Sequence, residues 1–271
     1  MTLPVQFLIG AALAGYAASL ACFSAAIRRE QTGPAQAGRA LSALSALLLT
    51  AACLALASVR GGPPLTSMAE FLILLALVQT GGALALDYFR RMGLLTLGNA
   101  AACVLILAVA LLSPDPVDRS GGTESGLHIA TFMASLVALE VSFVSSLTHL
   151  LLKRFLKTKG HLWIFELAPS LEAVRRTAMV SLLVGFSALT AGILAGYLFA
   201  RSRSPAGAGW RFDVTIVLAT ATWAAYLATL LAGARSRFHG RWAAALNLGS
   251  FFLLMLTLLL TTFSSKLHRG L

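Results

Sequence analysis

Apolar residues fill eight long blocks of this chain, at about 4–27, 40–59, 68–88, 92–112, 128–152, 177–200, 213–234 and 242–263, with short polar connectors between them. Roughly 20 apolar residues are needed to carry a helix across ~30 Å of hydrocarbon, and each block meets that length. Their hydrophobicity is continuous, whereas barrel strands would alternate over about ten residues. The pattern predicts an all-α polytopic membrane protein with eight transmembrane helices. One integral membrane domain over 1–271 is the simplest partition, although spans 1–4 and 5–8 can also pack as separate bundles.

Inside the blocks the polar positions are periodic. Span 5 carries His128, Thr131, Ser135, Ala138, Ser142, Ser145 and His149 at steps of three and four, which is one helix face. Span 7 offers Thr215, Ala219, Thr222, Tyr226 and Thr229, and span 8 offers Asn247, Ser250, Leu254, Thr257, Thr261, Ser264 and His268. Small and hydroxyl residues let membrane helices approach and hydrogen-bond, so packing explains the stripes. A sharper reading has the three faces lining one cavity with imidazoles at its outer rim. In span 6, Gly185, Gly192 and Gly196 form a glycine face, read here as structural.

Composition agrees with the pattern. The 271 residues are 58% hydrophobic and 11% charged, with a mean hydropathy of +0.83. The net charge of +11 raises nucleic acid as a partner, but the basic residues lie in short clusters between apolar runs. That is the layout of a topology signal and not of a phosphate-binding face, so no nucleic-acid partner is expected. Fourteen Lys and Arg follow spans 1, 3, 5 and 7, against seven on the opposite side, which predicts both termini outside. The first span has no basic residues before it and is read as a retained anchor. Cys22, Cys53 and Cys103 lie within apolar runs, with no CxxC spacing and no CxxCH for attaching haem.

The connectors carry the candidate chemistry. The 113–127 loop reads as an external linker rich in Pro, Gly and Ser. The 153–176 segment reads as an interfacial stretch with Trp163 and Phe165 in the headgroups, closed by a Ser-capped turn into span 6. Between spans 6 and 7, Trp210, Arg211, Phe212 and Asp213 sit in a glycine-loosened loop expected on the outer side. Such an aromatic loop suits a flat, apolar, acid-bearing ligand. His128 and His268 bracket it in sequence and share its side. Imidazole pairs are good axial ligands for haem iron, and Arg201, Arg203 and Arg211 are placed to pair with propionates. The alternative is that both histidines are ordinary interfacial residues.

Two acids in the spans are further candidates. Glu140 falls mid-span and about 120° from the His128 stripe, with no Lys or Arg at its depth, so it is expected protonated or bonded to hydroxyls. Glu70, near the outer end of span 3, reads as a structural hydrogen-bonder or a rim group. The chain shows no nucleophile–base pair, P-loop, dinucleotide fingerprint or metal cluster, which argues against a hydrolase or redox enzyme.

Several motifs are shared with a known family. They are His128-Ile129 opening a span, Leu156-Lys157-Thr158-Lys159, Pro169-Ser170-Leu171-Glu172, and Gly185-Phe186 with Leu189-Thr190-Ala191-Gly192-Ile193. Gly209-Trp210-Arg211-Phe212-Asp213, Trp223 with Tyr226, and His239-Gly240-Arg241 follow, and Ser67-Met68-Ala69-Glu70-Phe71-Leu72 looks like an outer Glu motif. In these pieces the chain resembles the cytochrome c assembly family, the CcsA, ResC and HemX group. The resemblance implies haem held non-covalently as haem b, with Trp210 and Asp213 in the holding loop and His128 and His268 as iron ligands. It implies cytochrome c assembly subunits or apocytochrome c as partners, alongside membrane lipid, in a bacterial inner membrane.

The chain departs from the haem-delivering members in one loop Trp, in Val214-Thr215-Ile216 where they carry Pro-Lys-Glu, and in Leu231 where they carry a membrane His. It therefore looks nearer the short HemX-like or YpjD-like members, as an accessory and not a complete synthetase. A haem-free regulator of tetrapyrrole synthesis, or a scaffold, is the rival reading.

Overall fold

The computed structural model describes residues 3–60, 67–112, 123–158, 170–203, 214–234 and 241–264. These form eight helices: α1 (Leu3–Arg29), α2 (Thr32–Arg60), α3 (Met68–Arg90), α4 (Gly93–Leu112), α5 (Thr123–Thr158), α6 (Leu171–Arg203), α7 (Val214–Ala234) and α8 (Arg241–Ser264). All eight are long and apolar enough to cross a membrane, and the described residues contain no strand. Apolar side chains such as Phe7, Leu47, Phe89 and Phe252 project outward, as a lipid-facing surface requires.

The expected spans match in number and order, but three helices run further. α2 starts at Thr32, ahead of the expected 40, and α5 and α6 extend past 128–152 and 177–200 at both ends. Hydropathy marks only the hydrocarbon-crossing part of a helix, while backbone hydrogen bonding continues into its polar ends. Pro34 does not prevent the early start of α2, because a proline in the first turn lacks only an N–H that would have no partner there. Ser170 stands just before Leu171, where an N-cap belongs.

The helices divide into two compact units, residues 1–120 with 152–170, and 121–151 with 171–271. In the first unit α1 buries Val5, Ile9, Ala12, Tyr16, Ser19, Phe23 and Ala26. Those alternating steps of four and three make a straight seam only if the helices cross with a left-handed twist. α2 answers with Ala35, Ser42, Ser45, Leu49, Ala52 and Leu56, and with Gly38, whose missing side chain admits the ring of Phe23. Hydroxyls bind the seam: Ser19 Oγ donates to the Gly38 carbonyl at 2.8 Å and lies 2.9 Å from Ser42 Oγ.

Deeper in this unit Thr80 collects polar contacts. Its hydroxyl lies 2.7 Å from the Tyr16 hydroxyl and accepts from Asn99 Nδ2 at 3.1 Å. At one end Arg39 grips the buried Asp87 at 2.6 and 3.3 Å, and Thr96 donates to the same carboxylate at 3.0 Å. α3 closes at Arg91, whose left-handed conformation (φ 54°, ψ 45°) points its N–H at the Asp87 carbonyl, 2.8 Å away.

The second unit is an up-down arrangement of α5 to α8. Ser142 Oγ donates to the Ala178 carbonyl at 2.8 Å, Gly185 faces Leu139, Gly192 faces Thr131, and Gly196 faces His128. As the number on α5 falls, its partner on α6 rises, so the pair runs antiparallel. α7 is tied to α6 by Trp223 Nε1 donating to Thr190 Oγ1 at 3.0 Å. It meets α8 through Thr222 with Thr257 and Thr229 with Ser250, each pair 3.0 Å apart. α8 returns to α5 through Asn247, whose amide donates to Ser142 and Ser146 at 2.8 Å.

Candidate functional site: a histidine in a glycine notch

His128 lies in the second turn of α5, and its antiparallel neighbour there is the C-terminal part of α6. His128 Nδ1 is 2.7 Å from the carbonyl oxygen of Gly192. A carbonyl oxygen can only accept, so Nδ1 carries a proton, and in the neutral ring the lone pair is then on Nε2. Hydrogen bonding of one imidazole nitrogen to a backbone carbonyl is how protein metal sites fix the tautomer and make the other nitrogen more basic.

Gly196 makes room for the ring, and Gly192 lets the α5 backbone come close. A Cβ on Gly196 would stand 2.9 Å from both Cε1 and Nδ1 of His128, closer than real side chains approach. One turn earlier, a Cβ on Gly192 would come within 3.3 Å of Thr131 Oγ1 and 3.5 Å of the Phe132 backbone nitrogen. Phe132 lies nearly parallel to the imidazole, with ring centroids 6.2 Å apart. His128 is half-buried, which leaves part of the ring accessible. The arrangement can present one neutral imidazole nitrogen, held in orientation, to an electrophile such as a metal centre.

The sequence profile of the cytochrome C assembly protein family matches residues 8–268. The chain belongs to that family. Comparison with curated proteins and with solved structures finds no match. The profile covers almost the whole of this cytochrome c assembly protein, beyond the C-terminal half that carries most of the recognisable motifs.

The other expected site residues of this family member fall in two groups. Trp210, Arg211, Phe212, Asp213 and His268 lie outside the described residues; 204–213 connects α6 to α7, and 265–271 follows α8. The described residues hold both acids. Glu70 is buried in the first turn of α3, where Ser67 Oγ accepts its N–H at 3.2 Å. Ser67-x-x-Glu70 is a helix-start pattern, and an acid there also suits the positive end of the helix. Glu140 is 4% exposed in the middle of α5, and its Oε1 has no hydrogen-bond partner among the described residues.

The polar stripes of the assembly protein do meet around a cavity, of about 70 Å³, but not at an outer rim beside His128. It lies at the opposite end of the second unit, lined by Ser142, Ser146, His149, Thr229 and Asn247 among others. His149 is 21 residues after His128 on the same helix, ~31 Å along its axis. Gly192 and Gly196 are the site residues that their spacing alone assigned to packing. Their second role follows from register: the last turns of span 6 must lie against the first turns of span 5, where the histidine is.

Proposed function

We propose that this cytochrome c assembly protein holds haem at the outer membrane face for handover to an apocytochrome or to a synthetase partner. In this reading His128 and His268 would ligate the haem iron, and Trp210, Phe212, Asp213 and Arg211 would help to hold the rest of the group. The observation that carries this reading is the 2.7 Å bond from His128 Nδ1 to the Gly192 carbonyl, which orients the ring and, in its neutral form, leaves Nε2 as the nitrogen available to a metal. The residues present fit the group at that position: an oriented neutral imidazole in a notch that only glycine permits. Haem so held is the non-covalent b type, and its vinyl groups are what a partner's CxxCH thiols would react with.

The same reading places both termini outside, in the inner membrane of a bacterium, with the whole chain working as one membrane domain. The two-to-one excess of Lys and Arg after the odd-numbered spans supports the orientation. The family profile, which spans residues 8–268, supports the single functional domain. The protein acts as a short, HemX-like accessory and not as a complete synthetase, because its outer loop carries one Trp and Leu231 stands where a ligand would be needed.

The test is the absorption spectrum of detergent-purified protein after haem titration. The expected result is a Soret band at one haem per chain that is lost in the His128→Ala/His268→Ala double variant. A band unchanged in that variant would sink the ligand assignment. The single-Trp loop also favours a haem-free regulator or scaffold. Capture of glutamyl-tRNA reductase in place of a c-type apocytochrome would favour that second reading.

A further inference from the structure

The cavity at the far end of the second unit has no part in the haem reading. It sits where three helix ends meet: Arg175 is four residues into α6, Gly233 is one before the end of α7, and Ala243 is two into α8. Its polar wall is built and largely committed. Asn247, 2% exposed, spends both amide protons on Ser142 and Ser146, and Ser142 passes its own proton to the Ala178 carbonyl. What remains is Asn247 Oδ1, buried and without a hydrogen-bond partner among the described residues. A buried acceptor in that state destabilises the fold unless a donor reaches it.

The charges around the cavity select the donor. Its lining contains His149 and Arg175, and Glu172 pairs with Arg175 beside it. With Arg176 next along the helix, the cations outnumber the single carboxylate, and an ammonium or choline head is disfavoured. Arg175 gives two of its five N–H groups to Glu172, at 2.9 and 2.7 Å, and keeps three. The site therefore asks for a hydroxyl inside and tolerates an anion at the mouth. Met179 and Leu182 supply an apolar wall on the α6 side. Trp242, 68% exposed, is in the same first turn of α8 as the lining residues Ala243 and Ala244, and an exposed Trp at the end of an apolar helix suits a membrane interface.

We propose that this cavity is a headgroup site for an anionic phospholipid whose head ends in free hydroxyls, the phosphatidylglycerol class. A head hydroxyl donates to Asn247 Oδ1, the phosphate lies against the free edge of the Arg175 guanidinium, and the acyl chains leave past Met179 and Leu182. About 70 Å³ admits the hydroxylated end of such a head. A membrane source is favoured over a soluble glycerol phosphate by the apolar wall and by the exposed Trp242 beside it.

Native mass spectrometry of the full chain in detergent tests this, with phosphatidylglycerol, phosphatidic acid and phosphatidylcholine of matched chains as probes. Phosphatidylglycerol should be retained over phosphatidic acid by about fivefold, the worth of one ordinary hydrogen bond, and phosphatidylcholine should be retained least. Asn247→Leu should bring phosphatidylglycerol down to the phosphatidic acid level and leave phosphatidic acid unchanged. Arg175→Gln, at a position whose side chain is 45% exposed, should weaken both anionic lipids. Equal retention of the two anionic lipids by the wild-type chain overturns the hydroxyl contact. Displacement of bound phosphatidylglycerol by soluble glycerol 3-phosphate overturns the lipid source. Should Asn247→Leu fail to fold by near-ultraviolet circular dichroism, the wild-type lipid ranking and Arg175→Gln still decide the matter.

Discussion

A single imidazole proton determines what His128 can do. With Nδ1 donating to Gly192, the ring cannot turn over without breaking a 2.7 Å bond, and Nε2 is held as the basic nitrogen. Gly196 protects that geometry by absence. Gly196→Ala should weaken haem binding by about tenfold, the lower end of what disturbing a ligand's supporting contacts costs. Gly192→Ala should cost less, since its Cβ would meet Thr131 and Phe132 at 3.3 Å and beyond and would not touch the ring. Haem titration followed at the Soret band checks both, and equal effects would show that the notch does not orient the ligand. His128 itself was legible in the sequence, as an imidazole opening a polar stripe. The notch was not, because two glycines one turn apart look the same whether they admit a helix or a histidine. Only the register of α5 against α6 separates the two meanings.

At the scale of the helix, pairwise polar contacts set which faces meet. Asp87 is 6% exposed and takes three donors from Arg39 and Thr96, so α2, α3 and α4 converge on one carboxylate. Arg39→Gln should lower the unfolding free energy by about 2 kcal/mol, less than for a fully buried pair because the Arg39 side chain is 36% exposed. Asp87→Asn in the same background should recover part of that loss, by removing the stranded charge. Reversible unfolding in mixed micelles reads both values, and a simple sum of the two losses would contradict the coupling. The number, order and helical nature of these elements were readable from hydropathy, since water and hydrocarbon sort side chains so strongly. Their ends were not: α5 and α6 extend well past the apolar blocks, because helical hydrogen bonding needs no lipid around it.

For the molecule as a whole, the cation distribution makes a prediction about sidedness. Single cysteines at Gly207→Cys and Gly160→Cys should be labelled by an impermeant maleimide from opposite faces of the membrane, Gly207→Cys from outside, in a background lacking Cys22, Cys53 and Cys103. Labelling of Gly207→Cys only after permeabilisation would reverse the orientation and place the histidine notch on the cytoplasmic side. Packing is the first reading of the stripes of spans 5, 7 and 8, and Thr222 with Thr257 and Thr229 with Ser250 do bond helix to helix. The sharper reading also finds a place, with Ser142 and His149, Thr229, and Asn247 lining one shared cavity. Its end of the bundle was misjudged, because a stripe runs the length of a helix and carries no mark of where its neighbours diverge.

The turns of the first unit reach further than their size suggests. Only Glu30 and Gln31 separate α1 from α2, and only Arg91 and Met92 separate α3 from α4; Glu30 and Arg91 both take positive φ without being glycine. Two linking residues leave no slack for one helix to enter the bilayer while its mate waits outside. Each pair therefore works as a tight helical hairpin in the folded protein, and an insertion at either bend would have to disturb a residue already held at positive φ.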